Sequence, residues 1–322
     1  MKKVSNPNKS AYEHRKRQNY DIYEGISPDF SGQDLSRKNL KAASLGHANL
    51  REANLTGAYM NGAILTNADL RGANLLGANL ELTSLDGTLI DEQTQMDAKW
   101  RLVWKLVNNK MDTLDLSGLD LRYVRLIDMD LSKANLSNSD LTGSILRRVD
   151  FQNANLCGSI LKDLHDLTCD VILHGVTVDE KTIMDEREWL VWSILNQGAE
   201  GKQLHGVNLS CSYLKQANFR NANLSEADLH GNILEEANFS NANLRHADLK
   251  VASLQGSCFD GADLRGTILF GANLQRTDLE TAQIDDSTDL FAAKYDNETR
   301  WPKNVDPVAR IVNRELWEKR RK

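Results

Sequence analysis

From Leu35 onward every fifth residue is apolar: Leu35, Leu40, Leu45, Leu50, Leu55, Met60, Leu65, Leu70, Leu75, Leu80, Leu85 and Ile90. A second run starts at Leu116, passes through Leu136 and Phe151 to Leu161, fails at Asp166 and resumes at Val171 and Val176. A third run, from Leu204 through Leu224, Leu229, Leu244 and Leu264 to Ile284, has no gap. A strict five fits neither the 3.6-residue period of a helix nor the two-residue period of a plain strand. Repeats of this kind decide the whole fold and are read first.

The residue two before each Leu is usually small, as at Ala48, Ala53, Ala222 and Ala242, and Asn or Asp often lies between, as at Asn49, Asn54 and Asn223. Gly often falls two after, as at Gly57, Gly62, Gly72 and Gly231. In an extended stretch alternate side chains share a face, so the small residue and the Leu point inward and the polar residue points out. The next two residues turn the chain, and Gly supplies the positive φ of a type II turn. A corner every five residues closes a square after four units. Its narrow interior takes one large and one small residue per side. Aromatic residues make up only 6% of the chain, so the core is expected to be Leu and Ala. The expected structural core includes Leu50, Leu55, Leu70, Leu75, Leu136, Leu224, Leu229, Leu244 and Leu264.

The tandem A-(N/D)-L-x-x unit resembles the pentapeptide-repeat family. The resemblance implies an all-β solenoid, a right-handed quadrilateral β-helix, here with two short helical insertions and a C-terminal helix. The insertions resemble each other: DAKWRLVWKLVNN from Asp97 and DEREWLVWSILNQ from Asp185 lie 88 residues apart. Trp-containing insertions between blocks are similar to those of multi-block members common in cyanobacteria, as is the ending AKYDNETRWP at Ala293 to Pro302.

The expected organisation is a polar basic arm over 1–30, block 1 over 31–92, insertion 1 over 93–112 and block 2 over 113–178. Insertion 2 follows over 179–200, block 3 over 201–286, and a C-terminal cap with an amphipathic basic helix over 287–322. Asp97 and Asp185 read as helix N-caps, with a first helix over 96–109. Trp100, Trp104, Trp189, Trp192 and Trp317 are read as surfaces that cap the solenoid or meet a partner. The blocks are expected to stack nearly continuously, with each Trp helix against a side wall. In block 2, Leu114, Leu119, Val124, Met129 and Val149 stand where Ala is expected, so wider or distorted coils are expected there, with a bulge or loop between Leu161 and Val171 that throws Asp166 outward.

No sequence signal points to chemistry. There is no GxxxxGK[ST] and no GxSxG. His47, His205, His230 and His246 fall on outward positions, and none is spaced with a Cys or Glu for a metal. Cys157, Cys169, Cys211 and Cys258 form no CxxC pair and read as free thiols of a reducing cytoplasm. The N-terminus has no apolar run of a signal peptide, and no apolar stretch is long enough to span a membrane. The reading is therefore of a non-enzyme without cofactor, metal or small-molecule substrate, acting as a protein-binding scaffold or regulator through its surface. Whole-chain charge is −6, with basic ends around an acidic body. Some members of the resembled family mimic DNA and bind type II topoisomerases, which is the alternative. Mixed signs, as at Arg51 beside Glu52, count against it. Direct nucleic-acid binding is disfavoured because no aromatic residues interleave with the basic ends.

Overall fold

The computed structural model describes residues 27–111, 113–164 and 171–308. Asp166, Cys169, Trp317 and the expected C-terminal helix beyond Val308 lie outside these residues, as does most of the basic arm. The chain divides into two compact units, one of residues 1–113 with 123–128 and the other of 114–122 with 129–322.

In the first unit, successive outward residues each pair in parallel with the residue 20 further on: Asp29 with Asn49, Asp34 with Asn54, Asn39 with Tyr59, Ser44 with Ile64. Four pairings five residues apart, repeated every 20, define a four-sided coil. The ladder runs in both directions, with the Leu50 N–H donating to Asp69 O at 2.8 Å and the Asp69 N–H to Ala48 O at 2.9 Å. Corners are type II turns. At one of them the Ala53 N–H donates to Leu50 O while Glu52 sits at φ 57°. Glycine eases this conformation, yet His47, Asn67 and Glu52 also adopt it. The coil ladder on either side holds them there despite the steric cost to a Cβ.

The second unit is built the same way, with Asn135 on Asn155, Asn223 on Asn243 and Asp228 on Asp248. In both units the Leu column is enclosed: Leu50, Leu55, Leu70, Leu75, Leu136, Leu224, Leu229, Leu244 and Leu264 have no exposed surface. Phe219, Phe239 and Phe259 replace Leu on one column and stack at 5.1 and 4.8 Å. At several places where Ser or Thr takes the small position, its hydroxyl donates to a carbonyl of the Leu column. Ser139 reaches Leu136 O, Ser257 reaches Leu254 O and Thr267 reaches Leu244 O. This meets the requirement that buried polar groups be bonded.

The coils change where the sequence breaks. Short strands β1 (Arg125–Ile127) and β2 (Ile145–Arg147) precede the corners at Asp128 and Arg148. Met129 and Val149, bulky and buried, follow in the small position. Asp150 pairs with Ile172, 22 residues on instead of 20, which corrects the expected register. Leu173, not Val171, is buried in the inward column, and Val176 takes the small position, closing the turn onto Leu173 O. Further on, β3 (Ile160–Leu161) pairs in parallel with β4 (Ile183–Met184).

Two helices follow the ends of blocks 1 and 2: α1 (Ala98–Val107) in the first unit and α2 (Glu186–Gln197) in the second. The solenoid form continues past Ile284, with Asn273 paired to Lys294 and Asp278 to Arg300.

Candidate functional surface

An interior coil passes its corner N–H to a carbonyl of the next coil, as Gly57 does to Leu76 O and Gly62 to Glu81 O. The last coil of block 1 has no complete neighbour, and side chains replace the missing carbonyls. Gly72 N–H donates to Asp91 Oδ1 at 3.0 Å, Gly77 N–H to Asp97 Oδ2 at 3.2 Å and Gly87 N–H to Asn108 Oδ1 at 2.7 Å. The Leu82 N–H alone meets a backbone acceptor, Tyr123 O. On the same edge Trp104 Nε1 donates to Thr88 O, and Asn108 Nδ2 to Leu85 O.

The end of block 2 uses the same devices. Gly158 N–H donates to Asp179 Oδ1, Asp163 N–H to Asp185 Oδ2 and Gly175 N–H to Asn196 Oδ1. Trp192 Nε1 donates to Val176 O and Asn196 Nδ2 to Leu173 O. Thr94 and Thr182, three residues after Asp91 and Asp179, send their hydroxyls to Leu70 O and Leu156 O.

Two expectations change. Asp97 and Asp185 precede the helices, but neither side chain caps its helix. Each carboxylate is drawn instead to a corner N–H of the coil. The helices also do not lie on a side wall: their Trp and Asn side chains bond the edge of the coil, where ladder groups would otherwise lack partners.

Trp100 is buried, while Trp104, Trp189 and Trp192 are half-buried. Trp189 and Trp192 meet edge to face at 5.4 Å. On the second unit, Arg187 Nη2 reaches across to Ser210 O, Cys211 O and Ser212 Oγ. Burial raises the Glu188 carboxyl above its ordinary range.

The outer wall carries ladders of Asn and Asp, such as Asn49 Nδ2 to Asp29 Oδ1 at 3.0 Å and Asn243 Nδ2 to Asn223 Oδ1 at 3.1 Å. Acidic residues on it are interleaved with cations. Arg71 binds Asp69 through two nitrogens, with Arg51 at 3.5 Å, and the Arg71 bonds hold the Asp69 carboxyl at about 2. Arg265 and Arg245 treat Asp263 likewise. Apolar side chains stand out of this polar wall at Tyr59, 51% exposed, and Ile64, 47% exposed, on successive sides of one coil.

Among the described residues no group of His, Cys, Asp and Glu could hold a metal ion, and no helix is long and apolar enough to cross a membrane. Cys157, Cys211 and Cys258 are free thiols. One histidine nevertheless stands beside a cysteine. His230 Nε2 lies 4.0 Å from Cys211 Sγ, and His230 Nδ1 lies 2.8 Å from Asp228 Oδ1. Cys211 and His230 are 19 residues apart, one coil, and so stand one above the other. Spacing along a single coil hides this contact; spacing by whole coils reveals it.

Comparison with known families finds pentapeptide repeats in eight copies, over residues 29–62, 48–87, 114–148, 126–163, 203–234, 222–259, 233–269 and 248–283. No curated protein matches the chain significantly. Among solved structures, a pentapeptide repeat protein from the Arabidopsis thaliana thylakoid lumen is 28% identical over 30% of this chain and 66% of its own, with a TM-score of 0.29. HetL, involved in heterocyst differentiation regulation in the cyanobacterium Nostoc sp. strain PCC 7120, is 21% identical over 91% of each chain, TM-score 0.28. Rfr23 from the cyanobacterium Cyanothece 51142 is 30% identical over 35% of this chain and 96% of its own, TM-score 0.22.

Proposed function

Because this chain belongs to the pentapeptide-repeat family, with its right-handed quadrilateral β-helix, we propose that it is a non-catalytic protein-binding scaffold acting through the outer wall of its coils. One observation carries this reading: Tyr59 and Ile64, on adjacent sides of one coil, are large apolar side chains left about half exposed at outward positions. Their neighbours on the same sides, Asn39 and Asn79, Ser44 and Ser84, are polar. Nothing in the coil requires an aromatic or β-branched side chain there, and exposed apolar groups rimmed by polar ones suit a protein partner. The Trp residues of α1 and α2 take the capping side of their two readings, since Trp104 and Trp192 each spend their one donor on a coil carbonyl.

A DNA-like surface would need continuous acid along one side. The arginines around Asp69 and Asp263 interrupt it, so the topoisomerase alternative is not adopted.

The test is affinity capture from the source cells with the wild-type chain and with a Tyr59→Ser, Ile64→Ser variant of unchanged melting temperature. A partner retained by the wild type and lost by the variant is expected. Equal capture by both would remove this wall as the binding surface, and inhibition of a purified type II topoisomerase would restore the alternative.

A further inference from the structure

The corner at Cys211 carries more than a turn needs. Its thiol is half-buried on the outer wall of the second unit, opposite His230 Nε2 at 4.0 Å. The far ring nitrogen of His230 is held by Asp228 Oδ1 at 2.8 Å, and the Asp228 carboxylate also accepts the His230 backbone N–H. That bond makes Nδ1 the protonated nitrogen and leaves Nε2 as an acceptor directed at the thiol. The backbone fixes the pair, since the Cys211 N–H donates to His230 O at 2.9 Å. Arg187 Nη2 clamps the same turn from α2 through Cys211 O and Ser212 Oγ. The His230 and Asp228 side chains are 46% and 39% exposed, so a reagent reaches them from solvent.

The other described thiols lack this arrangement. Burial, and then the Asp179 carboxylate, push the Cys157 thiol up. Cys258 meets only the Ser240 hydroxyl, at 3.4 Å. The cavity beside Cys211, lined by Leu173, Arg187, Glu188 and Tyr213, is about 30 Å³. It has room for little more than a water, so no organic substrate is enclosed there and the co-reactant must approach the open side.

We propose that Cys211, His230 and Asp228 form a surface thiol-exchange site that takes up a low-molecular-weight disulfide as a mixed disulfide. His230 Nε2 accepts the proton of the Cys211 thiol. The thiolate attacks one sulfur of the disulfide RS–SR, forming the Cys211–SR bond as the RS–SR bond breaks. The departing RS⁻ takes the proton from His230 and leaves as RSH. Cys211 is oxidised and one half of the disulfide is reduced, with no further oxidant. The modification adds a bulky polar group to the wall of block 3, where it would alter any contact made on that side.

The experiment treats the reduced full-length chain with glutathione disulfide and follows each cysteine by peptide mass spectrometry. Cys211 is expected to be modified about tenfold or more faster than Cys157 and Cys258. His230→Gln is expected to slow Cys211 by about tenfold or more, the low end of a general-base effect, while Cys157 and Cys258 keep their rates. Those two rates also report an intact fold in the variant. A Cys211 rate equal to that of Cys157 and Cys258, or one unchanged in His230→Gln while the other two thiols hold theirs, overturns the proposal. If His230→Gln exposes all thiols alike, Asp228→Asn serves as the second variant, with a smaller selective slowing expected and an unchanged Cys211 rate overturning it.

Discussion

At α1 and α2, residues 88 apart in sequence make the same bonds to the coil beneath. Asn108 and Asn196 each take a glycine N–H, from Gly87 or Gly175, and each return a bond to a Leu-column carbonyl. Trp104 and Trp192 each donate to the carbonyl three residues after that one, Thr88 O and Val176 O. Asp97 and Asp185 each accept a corner N–H before their helix starts. Away from the edge the likeness ends. Lys99 stacks on the Trp100 ring at 5.1 Å, whereas its counterpart Arg187 reaches forward to the first coils of block 3. Trp100 is a buried apolar residue, whereas its counterpart Glu188 is a half-buried acid beside Arg187. What repeats is the closing of an open edge. What differs is attachment to the next coils within the second unit.

That comparison can be broken most severely at the two asparagines. Asn108→Ala and Asn196→Ala each remove the acceptor of a glycine N–H and one of the donors to a Leu-column carbonyl, and a loss of about 2 kcal/mol, roughly 1 per bond, is expected from either. Chemical denaturation measures it. Equal losses support a common clamp, and a large loss at only one position would show that the shared geometry is not shared energetics.

Arg187→Ala sharpens the difference between the helices. It removes charge-assisted bonds to Ser210 and Ser212, with an expected loss of about 1–3 kcal/mol. Lys99→Ala should stay within about 0.5 kcal/mol, as surface changes do. Similar melting shifts for the two would erase the distinction.

How much of this was legible follows from which spacing each feature obeys. The period of five announces a four-sided coil, because inward residues and corners recur within one turn. The partners of Asp97, Asp185, Asn108 and Asn196 lie 20 to 22 residues back, so they appear only when one coil is laid on the next. Read locally, an Asp before a helix is an N-cap; at a coil edge, corner N–H groups compete for it. The Cys211–His230 contact hides in the same way. Val171 was misplaced because the coil from Asp150 to Ile172 holds two residues more than its neighbours, and a fixed period of five cannot absorb them.

The smallest expected effect is in the pH dependence at Glu188. Burial raises its folded-state pKa above the unfolded value of about 4.3. The folded chain therefore holds this proton more tightly, and the associated stability is present below about pH 4.3 and lost as pH rises through the folded value. Glu188→Gln should melt close to the wild type at pH 4 and at or above it at pH 7. A variant that melts lower at pH 7 than at pH 4, relative to wild type, would mean that the Arg187–Glu188 contact outweighs burial.

The division between clamped edges and a wall left free for a partner is tested most directly by amide hydrogen exchange at Gly87 and Gly175, measured beside the interior corner at Gly62. If Asn108 and Asn196 close the edges, both amides are protected to a degree comparable with Gly62, and each loses protection only when its own asparagine is replaced by alanine. Rapid exchange of Gly87 and Gly175 in the wild-type chain would contradict the edge clamps and return the Trp helices to the list of surfaces available to a partner.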